Sequence, residues 1–343
     1  MKHAPAPLSK KRLLILWFCA CAALVFAATT VLWVAPAGAQ VTWRMTTEYP
    51  ENNISGIGLA TFAQRVSERT GGFVTATTAF DNELKITSAE MPRAASEGRI
   101  TGGDAFAGAL SGLDTALGLS TLPFLVQSVD VAHAVNLRAR PLYERALQAR
   151  GLKLLYLTIW PATGLWSDHP LENPEELPRL ELRAYDANSS EVMRAAGANA
   201  QFLPMDVAIT GLRERRLNAF LTSGDGGAGR KLWDFLPYFT AINYAMPVSI
   251  AFVRSDAFAA LPEETQKHVL AAASETEQSQ FELLAHRTAE NYARMREHGV
   301  RIAEPAPPPL VAALRKAATN AIASWEARVD ADAVEIVEWA RQQ

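Results

Sequence analysis

Arg183 stands where an arginine can do chemistry. It lies in RLELRAYDANSSEVMRAAG (Arg179–Gly197), which reads as a strand, a polar turn and a helix. Alternation puts Leu180, Leu182 and Ala184 on one strand face and Glu181, Arg183 and Tyr185 on the other. The guanidinium is a permanently charged planar fork of donors. The helix is expected to begin near Asn188, with its free N–H groups and positive dipole end close to that fork. An arginine beside a helix N-terminus at a strand end makes a site for an anion, and a carboxylate matches its geometry. The competing reading is a structural arginine paired with Glu181 or Asp186.

Two more strands end in comparable turns: Leu152–Trp160 runs into PATG, and Leu217–Ser223 into GDGG. Ligands of open α/β sheets bind beyond the carboxyl ends of strands. Three such ends meeting at Arg183 would line it with Trp160, Tyr185, Asp186, Thr222 and Ser223. Each has a plainer reading, core packing for the aromatics and helix capping for the hydroxyls. Trp166 fits the core better, and Asn52 and Asn53 are turn residues.

Other chemistries find little support. His133, His169, His268, His286 and His298 are not at metal-ligand spacing. GDGG (Gly224–Gly227) lacks the oxygen ligands of a calcium loop and the lysine of a phosphate loop, and reads as a turn. No G-x-S-x-G is present. Neither a metal nor a cofactor is expected. An exported enzyme acting on an organic acid is the rival class, but Asp186 and Asp225 have no visible catalytic partner.

The elements that must position these residues alternate between strand and helix patterns, which gives an α/β fold. Strands are expected at Val41–Tyr49, Phe73–Phe80 and Tyr244–Val253, besides the three above. Helices are expected at Ile54–Thr70, Ser88–Glu97, Val129–Gln148 with a break or kink at Pro141, and Met205–Arg215, with another starting near Arg230. Gly103–Gly118 reads as loop and helix. The longest helical run goes from Pro262 to about His298, a length suited to bridging two lobes. A last helix runs from about Leu310 to Gln343.

Residues 1–39 read as a cleaved signal peptide. Lys2, Lys10, Lys11 and Arg12 precede an apolar run from Leu13 to Val34, and Ala37-Gly38-Ala39 offers a cleavage site before Gln40. An uncleaved anchor is the alternative. Cys19 and Cys21, the only cysteines, fall in this segment, so the body has no disulfide or thiol chemistry. The segment holds four of the 33 basic residues and none of the 36 acidic ones, leaving the body at net −7, which argues against a nucleic-acid partner.

The order TEYPENN (Thr47–Asn53), a helix ending TGG, a strand leading to Leu84-Lys85, LPFL (Leu122–Leu125), IWPATGLW (Ile159–Trp166), LELRAY (Leu180–Tyr185) and a strand into Thr222-Ser223 resembles the substrate-binding subunits of TRAP transporters, the DctP-like family. The resemblance covers nearly all of the chain after residue 40. It implies a two-lobed, type II-like periplasmic binding protein: lobe I from 40–159, lobe II from 160–246, and 247–343 returning to lobe I before a long bridging helix and a C-terminal helix. It implies capture of a small organic acid, delivery to a membrane permease, and Arg183 as the partner of the ligand carboxylate. Tyr49, Lys85, Trp160, Tyr185, Thr222 and Ser223 would complete the lining. Phe220 and Leu221 depart from the family, many of whose members have a Gln-Glu pair there, and Trp160, Tyr185 and Phe220 are expected to form apolar walls. Those walls favour a monocarboxylate, aromatic or carrying an α-keto or hydroxyl group, over a compact dicarboxylate. A periplasmic monomer is expected; a ligand-sensing partner of a membrane receptor would look the same.

Overall fold

The structure is a computed structural model that describes residues 40–343. The expected signal peptide lies outside the described residues. In chain order the elements are β1 (Val41–Thr47), α1 (Ile54–Arg69), β2 (Val74–Ala79), α2 (Met91–Ser96), β3 (Gly102–Phe106), α3 (Val129–Gln148), β4 (Leu152–Ile159), β5 (Thr163–Ser167), β6 (Glu181–Ala184), α4 (Ala187–Ala195), β7 (Asn199–Phe202), α5 (Met205–Arg213), β8 (Ala219–Ser223), α6 (Gly224–Gly229), β9 (Tyr238–Thr240), β10 (Val248–Arg254), α7 (Ser255–Ala259), α8 (Glu263–Glu297), β11 (Arg301–Ala303), α9 (Pro308–Glu326) and α10 (Ala331–Arg341).

The strands form two sheets, the centres of two lobes. The first has the order β2-β1-β3-β10-β4, the second β11-β9-β5-β8-β6-β7. β1 runs parallel to β2 and β3, while β10 lies antiparallel between β3 and β4. In the second sheet β6 is parallel to β7 and β8, and β5 is antiparallel to β8 and β9. Both faces of the first sheet are covered. Trp43, Met45, Ala251 and Val253 pack with Phe62 and Val66 of α1, and Ile250 and Phe252 pack with Val135 and Leu142 of α3. Burial on both faces leaves such strands apolar throughout instead of alternating.

Helix α8 has 35 residues, a rod of about 50 Å. Val269, Ala272 and Ala273 join the α1 side of the first lobe, and Tyr292 and Met295 join the second lobe's core around Trp166 and Phe239. The expected bridging helix is therefore present, one turn and more in each lobe.

Several local expectations need correction. α3 runs unbroken through Pro141. Leu142, Tyr143, Ala146 and Leu147 beyond it are buried, and that burial outweighs the lost hydrogen bond of about 3 kcal/mol. GDGGAG is a short helix, capped by Ser223 Oγ on the Gly226 N–H, not a turn. The expected helix near Arg230 is only a single 3-10 turn, Leu232–Asp234. The C-terminal helix is two helices, with Trp325 buried at the end of the first and its Nε1 donating to the Thr115 carbonyl at 2.9 Å. β3 and β5 were not expected: both are fully buried, and β3 falls in the segment read as loop and helix.

Candidate functional site

A cleft with about 360 Å³ of empty space, open solvent included, forms a cavity where the carboxyl ends of β1, β3 and β4 face those of β6 and β8. Six of the expected residues form its wall: Tyr49, Trp160, Arg183, Tyr185, Thr222 and Ser223. Phe106, Thr163, Met205, Gly226 and Pro247 complete it and were not anticipated. Pro247 and Gly226 carry no chemical signal in a sequence. Phe106 and Thr163 stand at the ends of β3 and β5, two of the unforeseen strands.

Arg183 is 6% exposed. β6 delivers it to the cavity from between β7 and β8. Its Nε donates to the Leu203 carbonyl at 2.9 Å, which fixes the plane of the guanidinium. The guanidinium carbon sits 5.8 Å from the centre of the Phe220 ring. Among the described residues no hydrogen-bond acceptor engages its two Nη groups, and no carboxylate lies within ion-pair distance. Burial lowers its pKa, opposed by the fields of Tyr49, Glu48 and Asp186. An arginine remains charged under such a shift, so the cavity holds a desolvated cation with an open fork.

The first lobe supplies aromatic walls. The Tyr49 and Trp160 rings are 4.7 Å apart at 59°, and Trp160 Nε1 donates to Ser249 Oγ at 2.9 Å. Phe106 meets Tyr185 edge-on at 5.4 Å. The hydroxyl side comes from Thr163, Thr222 and Ser223 across the β5–β8 pair, where Thr163 faces Ser223. Ser223 Oγ accepts the Gly226 N–H at 3.1 Å, which leaves its own proton free to donate. A Cβ at position 226 would run into Thr222 Oγ1, so a residue other than glycine there would displace the Thr222 side chain from the wall.

Three of the expected residues are not in the wall. Lys85 is exposed and takes a left-handed backbone (φ 54°) in a turn closed by its N–H on the Asn82 carbonyl. Phe220 is fully buried behind Arg183, in the cluster around Trp166. Asp186 is the N-cap of α4: its Oδ1 accepts the Ser189 N–H at 2.7 Å, and Ser189 Oγ closes a capping box. The helix N-terminus expected to greet a ligand anion thus already has its carboxylate. Burial raises the carboxyl of Asp186, opposed by the Ser189 hydrogen bonds.

Asp225 is likewise committed. It is buried in α6, and its Oδ1 accepts from Arg287 Nε at 2.5 Å and Asn291 Nδ2 at 2.9 Å. Oδ2 accepts the Ile54 N–H at 2.8 Å, and Asn53 Nδ2 donates to the Asp225 carbonyl at 2.6 Å. With its lone pairs filled it is a structural hub, not a free base. Near the cavity, Glu48 is half-buried and accepts from Ser88 Oγ at 2.5 Å. Burial raises its carboxyl, against the hydrogen bond from Ser88 and the charge of Arg183.

No group of histidine, cysteine and acidic residues suited to a metal ion occurs among the described residues, and none of their helices is long and apolar enough to cross a membrane.

No curated protein matches the chain. Solved structures do. DctP7, an extracytoplasmic solute receptor of Bordetella pertussis binding pyroglutamic acid, superposes with a TM-score of 0.83 at 24% identity, over 88% of this chain and 100% of that one. A marine metagenome TRAP solute-binding protein specific for pyroglutamate gives 0.84 at 22%, over 89% and 100%. A TRAP periplasmic solute-binding protein from Sulfurospirillum deleyianum with bound succinate gives 0.80 at 19%, over 88% and 99%. At these identities the likeness is one of fold. The family model of the DctP bacterial extracellular solute-binding proteins, family 7, matches residues 45–328, and to that family the chain belongs.

Proposed function

We propose that this receptor captures a small monocarboxylate in the periplasm and hands it to the permease of a TRAP transporter. The observation that carries the reading is the open fork of Arg183, buried and oriented by Leu203 but not paired with an acid. A ligand carboxylate would accept two parallel hydrogen bonds there, the strongest arrangement open to either group. Among the described residues the wall contains no second cation, and Lys85 is exposed outside it. A second carboxylate would therefore be buried without a partner, whereas a carbonyl, amide or hydroxyl could meet Thr163, Thr222 or Ser223. Tyr49, Trp160 and Phe106 suit a flat or branched body between those ends. Pyroglutamate, which two of the similar receptors bind, has this form. Micromolar affinity requires only about 8 kcal/mol.

Native mass spectrometry of the purified protein, followed by calorimetry with L-pyroglutamate, a hydroxy acid, an aromatic acid and succinate, tests the reading. The expected result is a retained or titratable monocarboxylate, released unchanged on denaturation, whose binding Arg183→Ala abolishes. Equal binding by the variant, or conversion of the ligand, overturns it.

A further inference from the structure

We propose that Arg230 and the Asp81-Asn82 turn form a latch at the rim of the cleft that holds the two lobes together in the absence of ligand. Arg230 follows α6 in the second lobe. Its Nη2 donates to the Glu48 carbonyl at 2.8 Å, and its Nη1 forms an ion pair with Asp81; both partners belong to the first lobe. Beside it, Asn82 Nδ2 reaches Asp206 Oδ2 at 3.4 Å, a second, looser link between the first lobe and α5 of the second.

The turn that presents these partners is built for the purpose of reaching outward. Asp81 and Asn82 both have φ of 55°, and Lys85 of 54°. Three left-handed non-glycine residues within five positions cost conformational energy, least for Asp and Asn. In that backbone both side chains meet lobe II, Asp81 at Arg230 and Asn82 at Asp206. The Asp81 N–H is held by the Tyr49 carbonyl at 2.8 Å, which links the turn to a residue of the cavity wall. On the other side, Arg230 lies four positions from Gly226, and Asp206 lies next to Met205, both in the wall.

None of the latch residues lines the cavity, so the closing contacts and the ligand contacts are separate. Closure is then an equilibrium already biased by the protein, and the ligand adds its own differential affinity for the closed form. Arg230 side-chain exposure is 16% and that of Asp81 59%, so the pair lies near solvent and its strength falls with salt. The carbonyl contact is shielded and less affected. The latch follows from the two-lobed architecture and does not depend on which acid is bound.

Small-angle X-ray scattering of the ligand-free protein tests this, with Arg230→Gln, Asp81→Asn and the double variant. The expected result is a larger radius of gyration for each single variant, with the double variant no larger than Arg230→Gln alone, and a wild type that expands with added salt. Stopped-flow tryptophan fluorescence with L-pyroglutamate as probe should show dissociation faster by about three- to tenfold, with association little changed. Asp81 is exposed, so its variant keeps the fold even where Arg230→Gln does not. Unchanged ligand-free dimensions in Asp81→Asn overturn the latch. Failure of L-pyroglutamate to bind overturns the ligand reading alone, because the scattering arm contains no ligand.

Discussion

Asp225 caps a helix that begins 171 residues earlier: its Oδ2 accepts the backbone N–H of Ile54 at 2.8 Å. Asn53, the N-cap residue of α1, makes no capping bond of its own. The first turn of a helix in one lobe is therefore completed by a carboxylate from the other, and Arg287 of the bridging helix neutralises that carboxylate. A helix N-terminus favours a negative charge, and here the charge, the dipole and the guanidinium meet in a buried site.

Replacing Asp225 with Asn keeps the shape and removes the charge. Arg287 then keeps only the half-exposed Glu290, at 3.7 Å, as a counter-ion, and breaking a buried pair typically costs about 3–5 kcal/mol. Thermal unfolding of Asp225→Asn should show a loss of that order. Arg287→Met combined with Asp225→Asn should recover part of it, measured by a double-mutant cycle.

Arg183→Lys keeps the positive charge but loses the fork and the Nε–Leu203 bond. Ligand affinity should fall by at least about 100-fold, equivalent to one or two charge-assisted hydrogen bonds, while the melting temperature without ligand stays close to that of the parent. Calorimetry and differential scanning fluorimetry on the same sample separate the two effects.

Gly226→Ala places a methyl group against Thr222 Oγ1. The neighbour must shift, at a cost of about 1–3 kcal/mol, and it shifts out of the cavity wall. Affinity should drop by about tenfold or more, and Thr222→Ala in the same background should add little further loss. Additive losses would show that the two residues act independently.

Asp104 predicts a pH dependence. It is fully buried in β3, accepts from Ser55 Oγ, and lies beside Ser249 and Tyr156. Burial pushes its carboxyl up to about 7 from an ordinary value of 3.8. Between these values the folded state holds a proton that the unfolded chain has released. Stability from this group is thus full below pH 3.8 and falls as pH rises to about 7, then levels off. Asp104→Asn should flatten that decline, and the variant should gain on the parent in melting temperature between pH 5 and 8. A constant difference across that range would exclude the assignment.

The convergence of Arg183, Trp160 and the Thr222-Ser223 pair on one cavity was legible in the sequence because each lies at or near the end of a strand pattern that runs into a polar turn. Phe106 and Thr163 were hidden by their strands. GGDAF and TGLWS are buried on both faces, so they lack the alternation that marks a strand. Helix α6 defied propensity: four glycines in six residues are among the worst helix formers. Its conformation comes from Ser223 at the cap and from contacts no local pattern encodes, with Gly229 pressed on Asn53 of the other lobe. Asp186 was misread for a related reason. A strand followed by D-x-x-S signals a capping box as well as a ligand turn, and only the distance to Ser189 decides between them.

The placement of β10 sets a limit on how the chain can be divided. It is the fourth strand of the first sheet in space and the tenth in sequence, hydrogen-bonded on both sides to β3 and β4. A fragment ending before Val248 would leave those two strands with raw edges and a gap between them. The first lobe therefore has no contiguous piece of chain that encodes it. It becomes complete only after β5 to β9, all of the second sheet but its edge strand β11, so a single cut at the cleft cannot release two complete lobes.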